Sequence, residues 1–225
     1  MKIIESGLYT SADIKDSEVH FGDNLEVYFF DDATQIQEFI LGENTKLFYF
    51  SAFMNEGEYK KHFKLVSASA ELQVNSMIYA EDNTITSQII WELAHSHTKE
   101  NLQIVSFAGP NWVVDLDGVV QINEQVEKVE GYLKEENIFL GTTGKIRWIP
   151  TLLVRSNDVQ ASHACNIEKI SDEKLFYLRS RGIEKNDATS MMILAYIEKT
   201  FSWLEKVDGE LYERVMEEVI GKIQK

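Results

Sequence analysis

The chain has 225 residues, a formal net charge of −15, 44% hydrophobic residues and 26% charged residues. This is globular composition, long enough for one domain or one domain with a helical appendage, and it excludes a disordered chain. An acidic surface whose positive charges are scattered singly or in pairs, as in Lys60-Lys61, excludes a nucleic-acid partner, and no apolar run approaches the roughly 20 residues of a membrane span.

The N-terminal stretch MKIIESGLYTSADIKD turns acidic at once and lacks a signal-peptide core, so a cytoplasmic location is expected. Up to about Val154 the sequence is built from short apolar or alternating runs. Examples are Lys46 to Phe50, Phe63 to Val66, Ala70 to Val74 and Leu102 to Phe107. Trp112 to Val114, Val119 to Ile122, Val129 to Leu133 and Ile138 to Leu140 follow. Their β-branched and aromatic content with polar alternates is the strand signature. Gly109-Pro110, Asp117-Gly118 and Gly141-Thr142-Thr143-Gly144 read as turns between them. The segments Ala33 to Leu41 and Thr86 to Ala94 fit a short helix or a strand. Strands recurring about every ten residues, with almost no helix among them, fit a β-solenoid. Without a crisp repeat, a sandwich fits equally well.

After Ile170 the period changes. Ser171 is placed to cap a helix whose first turn holds Asp172 and Glu173 and whose apolar face is Leu175, Phe176 and Leu178. Gly182 is the expected stop. Asn186 or Asp187 is read as the cap of a second helix, with Ala188, Met191, Met192, Ala195 and Tyr196 on one stripe. A third helix starts near Asp208-Gly209 and carries Leu211, Val215, Val219 and Ile223 at steps of four. The expected division is residues 1–165 as a β core and 166–225 as a helical region.

Three linked stretches carry a family resemblance: Asn157-Asp158-Val159-Gln160-Ala161-Ser162-His163-Ala164, then Glu168-Lys169-Ile170-Ser171-Asp172-Glu173, then Leu175-Phe176-Tyr177-Leu178-Arg179-Ser180-Arg181-Gly182-Ile183. In order, spacing and residue type they resemble the C-terminal signature of the SufB/SufD scaffolds of SUF-system iron–sulfur cluster assembly. The likeness covers roughly Ala94 to Trp203. It implies a right-handed parallel β-helix followed by helices. It also implies a non-enzymatic scaffold that pairs through its β-helix, with a SufB-like paralogue or with itself, and carries a SufC-type ABC ATPase on its helical tail. His163 matches the interface histidine linked to cluster or iron handling. The SufB-type glutamate is replaced by Ala164, and no cysteine stands near Glu135, where SufB-like members carry one, so the SufD side is favoured. The long N-terminal helical region of typical members is absent from this sequence.

Read from the residues, His163 and Cys165 lie two apart and share a face if the stretch is extended. Imidazole and thiolate together suit iron or zinc, whereas the plainer reading is a packed Cys165 beside an interface histidine. Cys165 is the only cysteine, and one thiol cannot hold a cluster, which takes four protein ligands. Any cluster or iron is therefore expected to be transient and to draw ligands from other chains. His95 and His97 have the same spacing but are read as part of a polar face, and His20 and His62 as surface. Asp115 and Asp117 invite comparison with solenoid carbohydrate lyases and hydrolases, which set paired acids on one rung; the turn-like Asp117-Gly118 favours a structural role. No Walker loop occurs, so the chain is not itself the ATPase. The residues expected to dock that ATPase are Tyr177, Arg179, Arg181, Met192, Tyr196 and Trp203. A β-helix interaction protein without cluster chemistry is the remaining alternative.

Overall fold

The computed structural model describes residues 1–35, 37–80, 83–141 and 143–223. Ile36, in the 33–41 segment, and Thr142, in the 141–144 turn, lie outside the described residues. Seven strands form one sheet in the order β1 (Lys2–Ile3), β3 (Glu18–Phe21), β5 (Gln37–Leu41), β7 (Gly57–Leu65), β9 (Thr84–Leu93), β11 (Val113–Ile122), β13 (Lys145–Val154). Seven more form the second: β2 (Gly7–Thr10), β4 (Glu26–Asp31), β6 (Lys46–Phe53), β8 (Glu71–Ala80), β10 (Lys99–Ala108), β12 (Glu127–Phe139), β14 (Asp158–Lys169). The paired strands are parallel, and the chain alternates between the sheets, so each circuit adds one rung to both. This is a β-solenoid; a sandwich of hairpins would show antiparallel neighbours. The two ambiguous segments, 33–41 and 86–94, contribute the strands β5 and β9.

Alternation along each strand puts every second side chain inside, and exact register stacks those side chains in columns. One column runs Tyr49, Val74, Leu102, Leu133, His163. Near the N-terminal end rings fill the interior: Phe39 and Phe63 stack with centroids 4.9 Å apart, and Tyr49 meets Phe63 edge-on at 4.8 Å. Lys61 is also inside, 2.6 Å from Asp31, with both side chains fully buried.

Asp117-Gly118 is not a turn. It lies in the middle of β11, and Gly118 faces inward. A Cβ there would stand 3.2 Å from the rings of both Trp91 and Trp148, so the glycine leaves room for two indoles. A mid-strand glycine of this kind mimics a turn signal in sequence. The true corners from the odd to the even sheet use left-handed residues: Asn24, Asn44, Ser69, His97 and Gln125 all have φ between 52° and 64°.

Three helices follow: α1 (Asp172–Ser180), α2 (Lys185–Val207) and α3 (Gly209–Ile223). The Ser171 hydroxyl accepts the Lys174 amide at 3.2 Å, and Gly182 follows the end of α1 at φ +89°. Helix α2 begins earlier than its Asn/Asp cap signal, with Glu184 at the N-cap and no side-chain cap bond. Its buried stripe is Ala188, Ile193, Ile197, Phe201 and Leu204, set against β8 and β10. The expected stripe was therefore rotated: Met191 and Ala195 are exposed. Helix α3 closes over α2 through Leu211, Val215 and Val219, and Lys222 reaches back to Asn55 Oδ1 at 2.9 Å. No residue of α1 is fully buried: of its apolar face Leu175 packs half-buried against the core, Leu178 is half-buried and Phe176 is exposed.

Candidate functional site at the open end of the solenoid

The last circuit, β13 and β14, covers the interior of the circuit before it, and among the described residues no strand covers it in turn. Its exposed apolar side chains are Ile149, Leu152, Leu153, Val154 and Ile167. Together with the free edges of the coil this is an unfinished surface that invites a partner.

His163 and Cys165 share the inward face of this coil, as their spacing predicts. Cys165 stacks in register on Glu135, and His163 on Leu133. Glu135 is 1% exposed, and His163 Nε2 stands 3.2 Å from its Oε2. Burial pushes the Glu135 carboxyl up to about 8. The Cys165 thiol and Trp148 indole pull it back, although neither carboxylate oxygen closes a well-aligned hydrogen bond. Burial lowers the His163 pKa, and burial followed by the Glu135 carboxyl raises that of the Cys165 thiol. Next along β12, the Asn137 amide donates to Cys165 Sγ at 3.4 Å, and the Ser106 hydroxyl donates to Asn137 Oδ1 at 2.6 Å. A buried polar row thus runs from Ser106 through Asn137 to the thiol, with Glu135 and His163 beside it. Among the described residues, no group of three or more His, Cys, Asp and Glu is placed to hold a metal ion.

Sequence reasoning named His163 and Cys165 but not Asn137, Ser106, Trp148 or the part Glu135 takes. A signal existed: Glu135 and Asn137 interrupt the apolar alternation begun by Val129 and Leu133. Without the register nothing said which thiol they would meet.

The other candidates fall elsewhere. His95 and His97 sit at a corner rather than on a strand, because His97 supplies the left-handed turn residue. His20 pairs with Glu18, and His62 lies half-buried between Glu92 (3.3 Å) and Glu38 (3.9 Å). Asp115 and Asp117 do share the outer face of β11, where Arg147 bridges both.

On the tail, Tyr177, Arg179, Arg181 and Trp203 are exposed; Arg181 lies 5.3 Å from the Tyr177 ring centroid and Lys206 4.7 Å from that of Trp203. Met192 and Tyr196 are half-buried. Met192 lines a mostly apolar hollow with Tyr177, Leu178, Glu173 and Lys174. The Tyr196 hydroxyl donates to Glu168 on β14 and Lys199 reaches Glu136 on β12 at 3.6 Å, so α2 is tied to the last coils. No helix among the described residues is long and apolar enough to cross a membrane.

Residues 39–196 match the model of the SUF system FeS cluster assembly SufBD core domain. The chain is similar to the iron–sulfur cluster assembly protein SufD of Escherichia coli K12, 28% identical over 167 residues, which cover 71% of this chain and 38% of that protein. An iron–sulfur cluster assembly SufBD family protein of Archaeoglobus fulgidus is 33% identical over 90 residues, 40% of this chain and 24% of its own length. The SufB of Bacillus subtilis is 27% identical over 81 residues, 36% of this chain and 17% of the relative. The chain therefore spans well under half the length of these relatives.

Proposed function

Because this chain belongs to the SufB/SufD family of SUF-system iron–sulfur cluster assembly proteins, we propose that it is a SufD-like scaffold subunit without catalytic turnover. The open end of the solenoid is its pairing surface, toward a SufB-like paralogue or a second copy. Helices α1 and α2 are its dock for a SufC-type ABC ATPase. Iron or a nascent cluster passes the pairing surface transiently, with His163 as this chain's contribution and the remaining donors on the partner.

The observation that carries this reading is the meeting, at one unfinished end, of the His163 and Cys165 pair with exposed apolar edges. A pairing surface needs both a hydrophobic driving force and unpaired backbone, and the last coil offers both. The SufD assignment is supported by Ala164 standing where SufB-like members carry glutamate and by the lack of a cysteine near Glu135, where they carry one. The docking assignment is supported by the exposed Phe176, Tyr177, Met191 and Trp203 in helices of an otherwise charged tail, since methionine and aromatic side chains suit adaptable interfaces. The carbohydrate-enzyme alternative is disfavoured because Arg147 holds Asp115 and Asp117 in one ion-paired cluster on the outer face of β11.

The test is affinity purification of the chain from its native host. An ABC-type ATPase of the SUF system should accompany it at near-stoichiometric yield. Its absence, together with a monodisperse monomer by light scattering at micromolar concentration, overturns the reading.

A further inference from the structure

Helix α2 lies against β8 and β10, but the outer face of the second sheet stays open at the starts of β6, β8, β10 and β12, where the outward side chains are exposed or half-buried. A hollow of about 260 Å³ lies there. Register stacks Phe48, Gln73, Asn101 and Tyr132 in one column across it, on four successive rungs. Strand spacing puts the two rings about 14 Å apart. Tyr28, one rung before, stacks on Phe48 with centroids 4.9 Å apart and an interplanar angle of 12°. The face of the Phe48 ring therefore looks along the solenoid axis, and its second face turns toward the Gln73 rung. At the other wall the Tyr132 hydroxyl donates to Gln160 Oε1 at 3.2 Å, one rung further out. The hollow exists because two shorter amides interrupt a ladder of rings.

The chemistry of the hollow is neutral and rich in both donors and acceptors. Neither the Gln73 nor the Asn101 amide has a hydrogen-bond partner among the described residues. Two residues along β8 from Gln73, on the same face, Asn75 is 4% exposed and its Nδ2 likewise lacks a partner among them. On the rim Lys46 pairs with Glu71 at 3.0 Å and Lys99 with Glu130 at 2.8 Å, so the charges cancel. An anion would meet lysines already paired, on a chain of net charge −15. A wholly apolar ligand would leave the amides unsatisfied. A side-chain amide offers a donor and an acceptor together, and so does a hydroxyl. Vicinal hydroxyls beside a C–H face therefore match amides set between ring faces.

We propose that this half of the second sheet is a binding site for a neutral saccharide. One pyranose face stacks on Phe48 or Tyr132, and the sugar hydroxyls pair with the amides of Gln73 and Asn101. The paired rim charges add acceptors and donors for the outer hydroxyls without selecting a charged ligand. None of these side chains belongs to the pairing end or to the tail dock, so the inference goes beyond the scaffold reading and does not depend on it. The site is shallow and open, and its affinity is accordingly weak, since little area is buried against the cost of fixing the ligand.

The experiment uses the full chain and three neutral disaccharides as probes: cellobiose, maltose and diacetylchitobiose. Saturation-transfer NMR detects the bound sugar, and titration of the side-chain amide resonances of Gln73 and Asn101 locates it. At least one probe should bind and shift both amides. Gln73→Ala and Asn101→Ala should each weaken binding about tenfold, the loss of one or two hydrogen bonds, and the double variant should lose it. Tyr132→Leu should weaken binding where Tyr132→Phe keeps it, because the ring face is the contact and the hydroxyl is engaged by Gln160. Melting curves confirm that each variant is folded. The proposal is overturned if no probe binds the folded parent, or if the folded double variant binds as well as the parent. Binding of adenosine with no sugar bound would assign the hollow to flat aromatic rings and overturn it too. Tighter binding of an acidic disaccharide, digalacturonate, than of every neutral probe would overturn the neutral class.

Discussion

Lys61→Met is the sharpest test of how the solenoid interior is held together. Lys61 and Asp31 are both fully buried, 2.6 Å apart, and Lys61 also donates to Gln37 Oε1 at 3.0 Å. Burial lowers the Lys61 pKa, while the Asp31 charge opposes that shift. Methionine fills nearly the same volume, so the packing loss is small. The variant, however, strands Asp31 as an uncompensated charge, supported among the described residues by the Tyr49 hydroxyl and the Ala33 amide (2.9 Å). Breaking one side of a buried pair costs about 3–5 kcal/mol. For a domain of this size that is a fall in melting temperature of about 6–20 °C at about 2–4 °C per kcal/mol. Asp31→Asn added to Lys61→Met removes the stranded charge and keeps an acceptor for Tyr49, so the double variant should recover about 1–3 kcal/mol. Differential scanning calorimetry of the parent, both single variants and the double variant closes the cycle. A Lys61→Met cost below about 1 kcal/mol, or a double variant no more stable than that single variant, would refute the assignment of this pair.

Gly118→Val should lower stability by about 1–3 kcal/mol through overpacking, since even a Cβ there stands 3.2 Å from two indole rings; thermal melting measures it. Glu100 is buried without a hydrogen-bond partner among the described residues, and burial holds its pKa well above the ordinary carboxylate range. The folded state therefore keeps a proton that the unfolded chain releases, so stability is highest at acid pH and falls as pH rises above that range. Glu100→Gln should flatten this dependence in urea titrations at several pH values. His163→Ala should leave the melting temperature within a few degrees, at a cost of about 0.5 kcal/mol, while cluster assembly in a reconstituted complex falls; unchanged assembly would leave His163 a packing role. Trp203→Ala and Tyr177→Ala, both at exposed positions, should likewise cost about 0.5 kcal/mol or less by circular dichroism but weaken ATPase capture, and full capture would move the dock elsewhere.

The sequence alone determined the change of architecture near Ile170, because period two and steps of three and four reflect local geometry that tertiary packing merely completes. Ser171 as a cap and Gly182 as a stop were legible for the same reason: both act within one turn of backbone. The short signature around His163 was legible because its residues lie together in the chain. What only the tertiary structure decided depends on register between coils. Asp117-Gly118 looked like a turn because a glycine states only that a side chain is missing; that Trp91 and Trp148 occupy the space is a fact about neighbouring rungs. His97 reads from sequence as part of a polar face; that it supplies the left-handed residue of a corner is set by the circuit. The rotated stripe of α2 was set by the outer face of β8 and β10, which no helical periodicity encodes. The meeting of Glu135, Asn137 and Ser106 at Cys165 joins residues about 30 to 60 positions apart by parallel stacking, and only the closed circuits of the solenoid bring them to one sulfur.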